Sequence, residues 1–305
     1  MSDRSTAESQ APAPDVRPQV IYVMGAGRSG STILGVTLGN CGGVFYAGEL
    51  DAWLVRSGSP VLEDAERARF WHGVCKEVDG AADLFGREAQ RSIERSLALF
   101  RVHKWPTRRR IRERYRRISE DLYHAIARAA GVRYVVDTSH YPLRARELQK
   151  LEGVDLYLVY LVRNPQGVVA SFNRRDVAQY SKSTVTTNVY LWLTNLLSVF
   201  VFLSHRRDRR LVVRHEDFIA NPVGTLCDIL NLAGAPVELP DLTALRTGVP
   251  FQGNRLIASE VLSLKDSAAT SPRRSALTTV LQFPWALVLA RLRPAALASG
   301  PRRDA

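Results

Sequence analysis

Residues 19–32 read QVIYVMGAGRSGST. Gln19–Met24 is a short apolar run, rich in β-branched and aromatic side chains and bounded by Pro18 and Gly25. That pattern predicts a buried strand. Gly25, Gly27 and Gly30 punctuate the turn that follows, and Ser31–Gly39 carries Ile33, Leu34, Val36 and Leu38, which suit a helix. Backbone N–H groups in a strand–glycine loop–helix turn converge on an anion, and the helix dipole adds positive potential. The glycines let the backbone approach that ligand closely. A phosphate-like group is therefore expected at this turn.

The chain on either side repeats the strand–helix theme. Val44–Tyr46, Arg133–Asp137, Leu156–Val162 and Arg210–Val213 read as further strands, and Leu156–Val162 (LYLVYLV) is continuously apolar. Helices are expected over Pro142–Leu151, Pro165–Arg175 and from Asn221-Pro222 through Leu232, the last stopped by Gly234. Residues 52–130 look helical. Apolar strands alternating with helices predict an α/β fold of three layers, P-loop-like, with a central parallel sheet of about five strands. The expected division is a disordered tail at 1–18, one domain at 19–270 with 52–130 inserted as a helical acceptor-side region, and a basic segment rich in Pro and Ala at 271–305. At about 150 residues per domain, 305 residues would allow two domains, but α/β folds often use this length as one.

Charge is the unusual quantity. Forty-two Lys and Arg oppose 30 Asp and Glu, a net of +12 with a pI near 10.0, which predicts anionic partners. Nine cations between Arg101 and Arg117 face Glu113 alone and supply +8 of the net +12. Ile111, Tyr115, Ile118, Leu122 and Ile126 form a stripe that would bury one helix face and leave the arginines in water. We read this run as a solvated face, with guidance of an acceptor or contact with an anionic surface as the alternative. No aromatic interleaving or zinc-finger spacing points to sequence-specific nucleic-acid binding. Cys41, Cys75 and Cys227 lack metal spacing, so no metal site and a reducing, cytoplasmic compartment are expected. Residues 1–18 lack the apolar segment of a signal peptide. Val189–Leu203, the longest apolar stretch, holds Thr194, Asn195 and Ser198 and is short of the roughly 20 residues a span needs. It reads as a buried core helix.

Three templates compete for the glycine loop. Gly25-x-Gly27-x-x-Gly30 matches a dinucleotide fingerprint, with Glu49 or Asp51 about 20 residues on to hold a ribose. That reading makes the chain an NAD(P)-dependent oxidoreductase. Gly25-x-x-x-x-Gly30 also fits a P-loop, with Tyr134–Asp137 as its acidic strand, but Ser31 stands where the phosphate-binding lysine belongs. The third template fits best: Arg28-Ser29-Gly30-Ser31-Thr32 resembles the 5′-phosphosulfate loop of sulfotransferases that use 3′-phosphoadenylyl sulfate. The segment from Tyr160 to Ser171 is similar to the same family's 3′-phosphate segment, in which an arginine ends a strand and a serine eight residues later projects from the next helix. Arg163 and Ser171 take those places.

Two later segments extend the resemblance to about Ile257. Val212–Phe218 with Asn221-Pro222 resembles a strand ending in Y-E-D-[LF], with His215 in place of the tyrosine; Glu216 and Asp217 read as structural. Val249–Arg255 resembles a late phosphate loop in bacterial members, with Arg255 as its remaining cation. The resemblance implies transfer of a sulfuryl group to an acceptor hydroxyl of a carbohydrate, glycolipid or secondary metabolite, with 3′-phosphoadenylyl sulfate as co-substrate. It assigns Gly27, Arg28, Ser29, Gly30, Ser31, Thr32, Arg163, Ser171 and Arg255 to the co-substrate, and Arg28 also to the leaving group. Glu49 and His140 compete as the base, Glu49 preferred; Asp137 and Ser139 are lesser candidates.

Overall fold

A computed structural model describes residues 17–62, 64–173, 183–264 and 275–292. Five parallel strands form one sheet: β1 (Gln19–Gly25), β2 (Val44–Gly48), β3 (Tyr134–His140), β4 (Asp155–Val162) and β5 (Arg210–Arg214), in the order β2-β3-β1-β4-β5. The expected α/β architecture is what forms. β1 is central and fully buried, because a strand covered on both faces must be apolar on both. Ile21 and Val23 face one layer, built by α1 (Ser31–Gly39), α8 (His215–Ala220) and α9 (Pro222–Ala233). Val20, Tyr22 and Met24 face the other, built by α4 (Trp105–Ala130), α5 (Pro142–Leu148) and α7 (Thr184–Ser204). From β1 the chain crosses to the edge strand β2, returns to place β3 between them, and then builds outward on the other side through β4 and β5. Strand order therefore reverses beside β1, where open α/β sheets hold their ligands.

Several boundaries differ from expectation. The strand expected over Arg133–Asp137 runs on to His140, because β1 keeps pairing past Asp137 and brings Met24 opposite His140. The region 52–130 is only partly α-helical: α2 (Asp51–Val55), α3 (Ala65–Glu77) and α4 are joined by short 3-10 and π turns between 81 and 104. Gly80, at φ 69°, opens the first of these turns and Gly86, at φ 107°, follows its end. α6 spans Pro165–Phe172; Arg174 and Arg175 lie outside the described residues, as does the 1–16 part of the expected tail. Part of the basic C-terminal segment is a helix, α10 (Ala276–Arg291), which packs on α6 and α7.

Two charge and burial readings are corrected. Arg108 is buried and Arg112 and Arg116 are only partly exposed: spaced by four on α4, they converge on the buried carboxylate of Glu147 on α5, at 3.3, 3.2 and 2.7 Å. Arg109, Arg110, Arg114 and Arg117 stay exposed. The stretch Val189–Leu203 is not a buried core helix. It belongs to α7, and its outward face keeps Val189, Trp192, Leu196, Phe200 and Leu203 exposed. Hydropathy sums the apolar residues along the stretch and misses that Asn188, Thr194, Asn195 and Ser198 occupy the packed face.

Candidate functional site

The glycine loop leaves β1 tight against β4. A Cβ at Gly25 would stand 2.3 Å from the Leu161 carbonyl oxygen, at φ +151°. Gly30, at φ 94°, precedes α1 without any side-chain cap, so the first amides of α1 face the loop's concavity. Ser29, Ser31 and Thr32 are buried around it, and Arg28 takes a left-handed φ of 69°. The Gly27 amide is an exception to the expected set of free donors: it donates to the Tyr190 hydroxyl at 2.8 Å, reaching across from α7. His215 supports the loop from below. Its ring would meet a Cβ at Gly30 at 2.4 Å, and its Nδ1 is buried without a protein partner. Burial and the nearby Arg163 pull its pKa down to about 4.

Arg163 ends β4 and joins the loop. Its guanidinium donates to the Arg28 carbonyl at 2.9 Å. It also lies along α6: a Cβ at Gly167 would be 3.0 Å from its Nε. Ser171 is four residues beyond Gly167 and so on the same helix stripe. The geometry therefore puts Arg163 and Ser171 on one side of the loop. Burial lowers the pKa of Arg163, with Glu216 opposing. Glu216 is a tie between the strand ends, accepting from the Asn164 amide at 2.8 Å. A cavity of about 330 Å³ opens here, lined by Ser29, Arg163 and Asn164 and by Leu191, Asn195 and Trp285.

The late loop meets the site from the opposite edge. Phe251 donates its amide to Ala47 and Glu49 donates its amide to Gln252, at 2.9 and 2.8 Å, so residues 251–252 pair with the end of β2. The Asn254 amide donates to Thr32 Oγ1 at 3.4 Å. Arg255 follows at the surface.

Glu49 sits where β2 gives way to α2. Gln252 Nε2 donates to its carboxylate at 3.4 Å. Its pKa is pushed up to about 7, first by burial; Asp137 raises it further, while Gln252 and Arg28 oppose the rise. His140 closes β3 at φ 54°, with its Nε2 3.9 Å from where a Gly27 Cβ would be. Burial pulls its pKa down to about 4, so it is neutral at pH 7. Both candidate bases thus border the loop with pKa values moved in opposite directions by the same desolvation.

Asp137 and Ser139 do other work. Asp137 is fully buried and accepts from Tyr123 at 2.6 Å, from the Ser139 amide at 2.8 Å, from the Ser139 hydroxyl and from Arg144. Arg144 also donates to Glu94 and Tyr115 at 2.8 and 2.7 Å. This network fastens the 52–130 region to the sheet beneath the site. Ser139 Oγ accepts from the Asp51 amide at 3.0 Å, and Gln90 holds the Asp51 carboxylate at 2.9 Å. A buried, bonded Asp51 cannot serve as the ribose ligand of the dinucleotide reading. Among the described residues no group of three or more His, Cys, Asp or Glu could hold a metal ion.

Tyr190, Gln252 and the loop-facing role of His215 were not found from the sequence. Tyr190 and Gln252 lie 163 and 203 residues from their partners; Tyr190 sits in an apolar stretch with no mark of a site, and Gln252 sits in the late loop, where only Arg255 was singled out.

The chain matches the sulfotransferase family over residues 18–239. It is similar in structure to a sulfotransferase domain from the curacin biosynthetic pathway, at 17% identity and a TM-score of 0.50, covering 88% of this chain and 98% of that one. It is also similar to the sulfotransferase domain of the Synechococcus PCC 7002 olefin synthase, at 18% identity and a TM-score of 0.50, covering 90% of this chain and 98% of that one. At these identities the structural likeness speaks to the fold. No curated protein matches the sequence.

Proposed function

The chain belongs to the sulfotransferase family, and from that premise we propose that it transfers a sulfuryl group from 3′-phosphoadenylyl sulfate to an acceptor hydroxyl. The observation that carries the donor assignment is Arg163, whose guanidinium bridges the glycine loop and the α6 stripe that bears Ser171. A planar fork in that position suits bidentate contact with a 3′-phosphate, while the uncapped start of α1 suits the 5′-phosphosulfate. Arg255, at the surface beside the start of α1, is a second cation for the 3′-phosphate.

In the reaction the acceptor oxygen attacks sulfur in line with the bridging oxygen of the nucleotide. The S–O bond to the acceptor forms as the bond to the departing phosphate breaks, and adenosine 3′,5′-bisphosphate leaves with the electron pair. Arg28 and the loop amides stabilise the charge that builds on the bridging oxygen. Glu49 takes the acceptor proton. A carboxylate with its pKa near 7 is half ionised at neutral pH and holds a proton well, the combination general-base catalysis favours. His140, with its pKa near 4, is the poorer proton acceptor and is assigned to acceptor contact. The spacing of the three cysteines is the basis for proposing a reducing, cytoplasmic setting. The acceptor is a hydroxyl on a carbohydrate, glycolipid or secondary metabolite.

Thermal denaturation with adenosine 3′,5′-bisphosphate, NAD and Mg-ATP tests the reading. A ligand at 100 times its Kd stabilises by about 2.7 kcal/mol. At about 2.1 cal/mol/K per residue, 305 residues translate that into about 4 °C. The bisphosphate is expected to give this shift. A shift with NAD or Mg-ATP alone would sink the proposal.

A further inference from the structure

Helices α7 and α10 hold several polar side chains inward while most of their exposed side chains are apolar. α7 has no charged residue, and α10 has none before Arg291. On α7, Asn188, Thr194, Asn195 and Ser198 are buried, while every exposed residue from Val189 to Leu203 is apolar. On α10, Thr278 and Gln282 are buried, while Val280, Phe283 and Leu287 are 71%, 60% and 52% exposed. Some of the inward polar groups pair with one another or with the sheet, while Thr194 Oγ1, Ser198 Oγ and Gln282 Oε1 are buried without a hydrogen bond. Asn188 donates to Thr278 at 3.2 Å, Gln282 donates to Asn188 at 2.9 Å, and Tyr160 of β4 donates to Asn195 at 2.9 Å. Trp192 donates to the Leu281 carbonyl at 2.7 Å and meets Trp285 edge to face at 5.0 Å. A helix that faces water shows the opposite pattern. Polar contacts between helices beneath an apolar exterior are what a lipid environment selects.

The apolar face continues and is edged by cations. The turn Ser96–Leu99 packs on α7, where Ala98 clusters with Leu143 and Leu197, and Leu99 and Leu193 pack against that cluster. Beyond it Leu97, Phe100, Val102 and Trp105 are each at least half exposed, interleaved with Arg101 and Lys104 and followed by exposed Arg109 and Arg110. Arg146 stands 5.9 Å over the ring of the exposed Phe200. An apolar patch of this extent marks a contact surface.

We propose that this face docks on an anionic phospholipid bilayer, with α7 and α10 lying in the plane of the interface. The apolar side chains would enter the acyl boundary, and Arg101, Arg110 and Arg146 would meet the headgroup phosphates. α7 alone is long and apolar enough among the described helices to cross a membrane by composition. Its polar stripe, however, is packed against β4 and α10, so only one face is offered. A second copy of the chain fits less well. An isologous contact sets the same patch against itself and would bring the flanking arginines together without carboxylates between them. Docking also orients the site: Tyr190 on α7 contacts Gly27, so the loop lies one helix diameter, about 10 Å, from the bilayer. That favours an acceptor hydroxyl carried on a lipid, a corollary that rests on the transfer reading, whereas the docking does not.

Co-sedimentation of the full chain with phosphatidylcholine vesicles, with and without 30 mol% phosphatidylglycerol, tests it. The anionic vesicles are expected to bind the protein and to release it as salt shortens the Debye length. The triple variant Leu196→Ser, Phe200→Ser, Phe283→Ser is expected to lower partition by at least about a hundredfold. Arg110→Gln with Arg146→Gln should lower it by about 25-fold, about fivefold per cation. All five positions are surface ones, so both variants should keep the wild-type melting temperature and affinity for adenosine 3′,5′-bisphosphate. Loss of that affinity in the wild-type protein would indict the transfer reading and not the docking. Three results overturn the docking: no binding to anionic vesicles, equal binding to neutral ones, or a dimer by light scattering that the triple variant dissociates while vesicles bind neither form.

Discussion

Glu49 carries the most consequential prediction. Burial pushes its pKa from 4.5 to about 7, so at pH 6 about one-tenth, and at pH 5 about one-hundredth, of the enzyme holds the ionised base. The measurement is turnover of 3′-phosphoadenylyl sulfate, read as release of adenosine 3′,5′-bisphosphate with whichever alcohol or phenol acceptor gives the highest rate. Wild-type kcat/KM should be level above about pH 8 and fall about tenfold per pH unit below 7. Glu49→Gln should lower the plateau by about 10²- to 10⁴-fold, remove the acid limb near 7 and leave affinity for the bisphosphate nearly unchanged. A stability readout accompanies it. The folded pKa lies above the unfolded one, so the folded protein binds more protons between pH 4.5 and 7, and the Glu49 contribution to stability falls as pH rises through that window. Glu49→Gln removes that loss and should melt higher than wild type at pH 8 while matching it near pH 4.5. The reasoning is refuted if Glu49→Gln keeps more than a tenth of the activity, or if its acid limb stays at 7. A limb near pH 4 that disappears in His140→Ala would move the base to His140.

Other predictions follow from the same geometry. Arg144→Met leaves Asp137 and Glu94 buried without their cation, which costs about 3–5 kcal/mol; at about 2.1 cal/mol/K per residue over 305 residues the melting temperature should drop by about 5–8 °C, and an unchanged value would show the network to be dispensable. Arg163→Ala removes charged hydrogen bonds worth about 1.5–3 kcal/mol each, so the Kd for adenosine 3′,5′-bisphosphate should rise by about 10²-fold while adenosine 5′-phosphate is little affected; equal losses for the two would detach Arg163 from the 3′-phosphate. Gly25→Ala sets a methyl 2.3 Å from the Leu161 carbonyl oxygen, and because that oxygen is held in the β1–β4 register the protein should lose at least about 3 kcal/mol in a chemical denaturation series.

Most of the sheet was legible before any coordinates, because its strands are buried on both faces and so read as unbroken apolar runs between glycines and prolines. The parts of the candidate site that lie within one strand–turn–helix unit were legible for the same local reason: the loop from Gly25 to Thr32, and the proposed pair Arg163 and Ser171. Contacts across the chain were not. Gln252 against Glu49 and Tyr190 against Gly27 depend on the late loop pairing with β2 and on α7 turning its inner face to the loop. The arginines 108, 112 and 116 read as solvent-facing because their common target, Glu147, belongs to another helix.

The sequence by itself determined the α/β class, the strand–glycine turn–helix unit and where Arg28 and Arg163 stand beside it, because strand burial, glycine freedom and residue spacing are properties of short windows. Only the tertiary structure decided what each group is surrounded by. Desolvation raises Glu49 and lowers His140, Asp137 is absorbed into the Arg144 network, and α7 faces its polar stripe inward. Electrostatic environment is a sum over neighbours brought together by packing, and linear order does not contain it.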